Sequence, residues 1–158
     1  MNIFVTVGTT SFESLIASAL ALARVEEYTF RIQDPSQQRE RGVDDSCVVQ
    51  RFYDDVLLQY EWADLIVTHA GAGSVYATLE MGKKIIVVPN LERADKHQAE
   101  LAKYIQENNY GAVLWDVNQL GDTIKIASKS SYRPYARDRF FVGNEIVKAV
   151  KASLSKKR

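Results

Sequence analysis

One stretch constrains this chain more than any other: Asp64-Leu65-Ile66-Val67-Thr68 running straight into His69-Ala70-Gly71-Ala72-Gly73-Ser74. A short apolar run rich in β-branched residues, without polar alternation, suits a strand covered on both faces. The turn behind it carries only small side chains after the histidine. Residues 75–81 then follow at helical spacing, and Gly82 supplies a C-terminal stop. The same order opens the chain. Residues 3–7 form a β-branched run, Gly8-Thr9-Thr10 breaks it, and Phe12, Leu15, Ile16, Ala19, Leu20 and Ala23 recur at three and four. Thr10 and Glu13 have capping-box spacing, which predicts the helix start there.

The alternation continues. Residues 28–33 and 47–52 read as strands, and the polar segment 34–45 between them, with Pro35 and Gly42, reads as a surface loop. Residues 54–62 read as a helix capped by Asp54 or Asp55. A strand over 84–88 ends at Pro89, a loop covers 90–96, and a helix covers 97–107 with Leu101, Ala102 and Ile105 inward. Residues 111–115 give a sixth strand and 118–128 a helix. Residues 130–139 form a loop, and 144–154 a closing helix with Ile146, Val147 and Val150 inward. Strands alternating with helices predict an α/β fold: a Rossmann-like parallel sheet with helices on both faces, one domain over residues 1–158. Such sheets bind ligands outside the carboxyl ends of their strands, where every polar or glycine-rich turn named here falls.

Bulk properties exclude some functions. The chain has 158 residues, 46% hydrophobic content and zero formal net charge, so nothing in its charge points to nucleic acid. A lone cysteine, Cys47, rules out an internal disulfide and fits a reducing compartment. No stretch approaches a membrane span and no basic leader precedes Ile3, so a cytoplasmic location is expected. Lys148, Lys151, Lys156, Lys157 and Arg158 make a basic end, read either as a solvated helix terminus or as weak attraction to an anionic membrane.

The turn from Gly71 through Ala72 and Gly73 to Ser74 admits two readings. A ligand can approach the bare backbone, and the N–H groups at a helix start attract anions, so a diphosphate fits. Equally, the glycines serve close helix–sheet packing and Ser74 caps the helix. Gly8, Thr9 and Thr10 form a second such turn with two hydroxyls. Asp95-Lys96-His97-Gln98 opens another helix, where His97 and Gln98 offer hydrogen bonds to sugar hydroxyls. Asp95 and Gln98 also have capping-box spacing. Glu80 suits a ribose contact or a solvated surface. His69, at a strand end beside the turn, is the candidate catalytic side chain, with a structural role as the alternative. Carboxylates and histidines do not cluster at metal-ligand spacing, so no metal site is expected.

These motifs resemble a known family. Phe4-Val5-Thr6-Val7-Gly8-Thr9-Thr10, the segment Ala63 through Ser74, Gly82-Lys83-Lys84 leading to Pro89, and Asp95 through Leu101 follow the order of one group. They resemble the small subunit of the two-part GlcNAc transferase of asparagine-linked glycosylation, and bacterial exopolysaccharide glycosyltransferases split in the same way. The resemblance implies the C-terminal, donor-binding half of a GT-B glycosyltransferase. It implies a UDP-sugar as donor substrate and no further cofactor. Gly71 to Ser74 would hold the diphosphate, with Thr9 and Thr10 facing it, and His97 and Gln98 would touch the donor sugar. It also implies a membrane-anchored partner subunit that binds a lipid-linked saccharide acceptor. The family's ribose-binding glutamate is replaced here by Ala77, with Glu80 about one turn further on. That departure leans toward the exopolysaccharide branch. A non-catalytic nucleotide-sugar-binding module that stimulates a partner is the main alternative. A sugar-nucleotide epimerase is disfavoured by length, and a dinucleotide binder by the missing three-glycine fingerprint. A partner would cover exposed apolar surface, for which Tyr132, Tyr135, Phe140 and Phe141 are candidates.

Overall fold

The computed structural model describes residues 1–25, 28–37, 41–44, 46–92 and 97–136; for 41–44 only the backbone is described. The strands are β1 (Asn2–Thr6), β2 (Thr29–Gln33), β3 (Arg41–Asp44), β4 (Cys47–Gln50), β5 (Leu65–His69), β6 (Lys84–Val88) and β7 (Ala112–Val113). The helices are α1 (Glu13–Ala23), α2 (Val56–Trp62), α3 (Ala72–Glu80), α4 (His97–Glu107) and α5 (Leu120–Lys129), the last entered through a 3-10 turn, Val117–Gln119.

The strands form one sheet in the order β3-β4-β2-β1-β5-β6-β7. The six strands other than β3 run parallel, as in the doubly wound sheet the alternation predicts. β3 is a correction. It lies in the segment read as a loop, pairs antiparallel with β4, and its register shifts between Gly42 and Asp44. A four-residue edge strand with Gly42 inside it has little of the apolar alternation that marks a strand in sequence.

Both faces of the sheet are buried, which explains the unbroken apolar runs. Ile3, Val5, Phe30, Ile32, Leu65, Val67, Ile86 and Val88 point to one side, where α1 and α5 cover them with Leu15, Ala19, Leu120, Ile124 and Ala127. Phe4, Ile66, Ile85 and Val87 point to the other, under Tyr60, Val75, Leu79, Ala102 and Ile105 of α2, α3 and α4.

Local signals explain most boundaries. Asp55 caps α2, accepting from the Leu57 and Leu58 N–H groups at 2.9 and 3.3 Å. Gly82 follows α3 at φ +68°, the left-handed conformation a glycine stop supplies. The start of α1 departs from expectation. Its first bond runs from Ile16 N–H to the Phe12 carbonyl, no side chain caps it, and Thr10 stays exposed. Phe12 is buried in the core, so packing of this ring sets the entry of the helix in place of a threonine cap.

The closing loop has no regular secondary structure through residues 131–136. Tyr135 packs against Tyr76 and Tyr110, with ring centroids 5.6 and 5.3 Å apart, so it belongs to the fold and not to a free apolar patch. Tyr132 is half-buried. Phe140, Phe141 and the predicted helix over 144–154 lie outside the described residues. Among the described residues no helix is long and apolar enough to cross a membrane.

Candidate functional site

The chain builds outward from β1 to β2 and β4 on one side, and from β5 to β6 and β7 on the other. The order reverses between β1 and β5, which pair directly from Ile3↔Leu65 to Thr6↔Thr68. At such a switch point the loops leaving neighbouring strands diverge and open a crevice. The two glycine turns flank it: Gly8-Thr9-Thr10 leaves β1, and Ala70-Gly71 leaves β5.

His69 joins the two turns. A Cβ built on Gly71 would stand 2.2 Å from His69 Nε2, and one built on Gly8 would stand 2.6 Å from His69 Cε1. The half-buried imidazole therefore fills the space that side chains at both positions would need. Gly8 also sits at φ +70°, which an L side chain adopts only with strain. Its carbonyl accepts a 2.9 Å bond from Gln33 Nε2, and its N–H donates to Thr6 Oγ1 at 3.3 Å. Gln33 is buried at the carboxyl end of β2. A polar residue closing an apolar strand was its sequence signal, and it went unread.

The turn after β5 is also a helix entrance. Gly71 N–H bonds the His69 carbonyl at 2.7 Å, and the first bond of α3 runs from Val75 N–H to the Gly71 carbonyl at 3.0 Å. The N–H groups of Ala72, Gly73 and Ser74 thus precede the helical ladder and carry the positive end of the α3 dipole. Ala72 and Gly73 are exposed. A Cβ on Gly73 would meet nothing within 4 Å, so packing does not require this glycine. A glycine inside a helix costs about 1 kcal/mol relative to alanine. Its presence where packing is indifferent leaves backbone open to a ligand.

Ser74 is not the cap. Gly71 holds the N-cap position, no side chain caps α3, and Ser74 lies within the first turn. Its side chain faces the Tyr60 hydroxyl of α2. Burial pushes the Tyr60 hydroxyl above its ordinary pKa, and the neighbouring Ser74 side chain opposes that rise.

On the β6 side, the chain passes through buried Pro89 and Asn90. Gln98, in the first turn of α4, accepts a 2.9 Å bond from the Asn90 N–H, and Asn90 Oδ1 accepts from Glu92 N–H at 3.1 Å. Gln98 therefore organises the loop after β6. Replacing it by alanine orphans a buried N–H and should cost about 1–3 kcal/mol, measurable as a lowered urea midpoint. His97 begins α4 with its side chain 89% exposed and Nδ1 3.4 Å from Glu100 Oε2. The structure places it on the carboxyl edge of the sheet but out in solvent, not inside the crevice with His69. Asp95 lies outside the described residues. Among the described residues no three of His, Cys, Asp or Glu converge as a metal-binding group.

A doubly wound domain with two glycine turns meeting at its switch point has the architecture of the C-terminal half of a GT-B glycosyltransferase. The chain belongs to the glycosyltransferase family 28 C-terminal domain, whose family model matches residues 2–139. It is 35% identical over 122 residues to the human UDP-N-acetylglucosamine transferase subunit ALG13, a match covering 68% of this chain and 10% of that protein. It is 32% identical over 96 residues to the UDP-N-acetylglucosamine--N-acetylmuramyl-(pentapeptide) pyrophosphoryl-undecaprenol N-acetylglucosamine transferase of Shewanella pealeana, covering 61% of this chain and 26% of that enzyme. The chain thus spans from a tenth to about a quarter of these relatives' lengths. In fold it is similar to the crystal structure of Acinetobacter baumannii MurG, with a TM-score of 0.70 at 20% identity, covering 96% of this chain and 49% of that one.

Proposed function

We propose that this chain is the donor-binding subunit of a split glycosyltransferase that uses a UDP-sugar. The observation that carries this reading is the junction at the switch point, where one imidazole separates Gly8 from Gly71 beneath the open N–H groups of α3. A diphosphate seated there meets backbone N–H groups at Ala72, Gly73 and Ser74 and the exposed hydroxyls of Thr9 and Thr10. Gln98 and His97 stand at the loop where the sugar would lie, with Asp95 just before them in sequence.

The chemistry follows from that seat. The acceptor hydroxyl attacks C1 of the donor sugar with inversion, the C1–O bond to the diphosphate breaks, and its electron pair leaves on UDP. Helix-terminal dipoles stabilise the charge as it develops. His69 positions both turns and lends its imidazole to the leaving diphosphate. The acceptor's proton goes to a base on the partner. The backbone supplies the counter-charge, so a chelator is expected to leave activity unchanged.

A membrane-anchored partner that binds a lipid-linked saccharide completes the enzyme in this reading, with this chain held at the cytoplasmic face of the membrane. The word "subunit" in the human relative's name supports a partner. So do Phe52, Leu57 and Leu58, close in sequence and each about half exposed. Titration of the isotope-labelled chain with UDP and a panel of UDP-sugars tests the donor site. Amide shifts centred on Gly8, Thr9, Thr10 and Gly71 through Ser74 are expected. Shifts confined elsewhere, or a partner complex that keeps full activity with His69→Ala and Gln98→Ala together, would leave a non-catalytic stimulating module as the better account.

A further inference from the structure

A second cavity lies among the segments that follow β1, β6 and β7. It has a volume of about 190 Å³ and is lined by Ser14 at the start of α1, Pro89, Leu91 and Glu92 after β6, and Trp115 and Asp116 after β7. The Trp115 ring is held in place by its Nε1–H, which donates to Gln106 Oε1 at 3.1 Å, yet 39% of the residue is exposed. Asp116 is also fixed, its Oδ1 accepting from the Asn118 N–H at 3.0 Å. Among the described residues no lysine or arginine lines the cavity.

From these features we infer that the cavity is a subsite for a neutral pyranose ring. An indole held by a hydrogen bond at Nε1 has little rotamer freedom left to lose, and the C–H groups on one face of a sugar ring pack against an aromatic ring of this kind. Two carboxylates and a serine hydroxyl accept and donate bonds to sugar hydroxyls. The same carboxylates, with no cation beside them among the described residues, disfavour a phosphate, which makes inorganic phosphate the charged control. The volume suits one ring. Because the cavity shares the loops after β1 and β6 with the crevice, a ring here lies next to the proposed donor site. The inference rests on the glycosyltransferase reading for its biological sense, but not for its test.

The test is an amide and indole NMR titration of the full chain with methyl β-glucoside and with N-acetylglucosamine, using inorganic phosphate as the charged control. The Trp115 indole N–H and the amides of Leu91, Glu92 and Val117 should move with millimolar affinity for at least one sugar. Phosphate should not move them, and the indole of Trp62, stacked under Arg31, should stay still. Trp115→Ala should weaken the sugar about five- to tenfold, the worth of an aromatic contact. Glu92→Gln, at an exposed position that leaves the fold intact, should weaken it about twofold or more. A Trp115 resonance unmoved by both sugars at concentrations that saturate millimolar sites overturns the inference. So does a phosphate response there as large as the sugar response. A parallel UDP titration read at Gly8 and Gly71 reports the donor site separately, so either reading can fail alone. If a UDP-sugar moves Trp115 and UDP does not, the ring is the donor's; if free sugar moves it with UDP already bound, the ring is the acceptor's.

Discussion

Gly71→Ala is expected to abolish UDP binding and to lower stability by about 1–3 kcal/mol, the cost of overpacking a filled site. The new methyl would stand 2.2 Å from His69 Nε2, well inside contact distance, so the imidazole has to swing away. On leaving, it loses its seat against Gly8, and both turns shift together. Gly8→Ala should do the same with an added penalty, because its φ of +70° costs an L residue roughly a further 1 kcal/mol. The decisive measurement is a double-mutant cycle in urea. His69→Ala in the Gly71→Ala background should recover most of the lost stability, because the clash disappears with the ring, while UDP binding stays lost. Additive losses would show that the imidazole is not what the two glycines accommodate.

Phe4→Ala should cost about 3–5 kcal/mol, the range for deleting a fully buried aromatic ring. Phe4 has no exposed surface, and its ring meets Tyr53 and Tyr60 edge-on, with centroids 5.5 and 5.9 Å away. Against a typical domain stability of about 5–15 kcal/mol, that leaves a marginal fold. The effect should reach the crevice, because Tyr60 also faces the Ser74 side chain in the first turn of α3. A milder variant separates the two consequences. Tyr60→Phe keeps the ring but drops the hydroxyl, and should cost about 1 kcal/mol while loosening Ser74, seen as a changed Ser74 amide position under UDP. A Phe4→Ala loss below about 1.5 kcal/mol would mean that the core repacks around the gap.

The residues that most clearly announced themselves were those under steric or periodic constraint. β6 and α4 have the bounds read from sequence, because a β-branched run ending in Pro89 and a helical stripe through Ala102 and Ile105 each have one way to be buried. Asp55 at the head of α2 and Gly82 at the foot of α3 were legible for the same reason: each answers a backbone need one turn away. Thr10 misled, and the alternative reading of Ser74 as a cap fails as well, since a hydroxyl near a helix start looks like a cap whether or not it is one. The buried ring of Phe12 and the hydroxyl of Tyr60 decided their roles, and both act across space. β3 stayed hidden because an edge strand needs only a partner's backbone, which leaves little trace in side-chain pattern.

The sequence by itself determined the class of fold and the places where the glycine turns fall, because hydrophobic period and glycine punctuation are local properties. It also located the family motifs that the comparison with known proteins bore out. Only the tertiary structure decided that Gly8 and Gly71, 63 residues apart in the chain, share one imidazole as their neighbour. It alone tied Gln33 to the Gly8 carbonyl and Gln98 to Asn90, and set Trp115 beside Glu92. The imidazole contact depends on β1 lying beside β5, the Gln33 bond on β1 beside β2, and the Trp115 cavity on β6 beside β7. That order is a property of the assembled sheet, in which every strand finds its neighbours by burying two faces at once, and no local window of residues contains it.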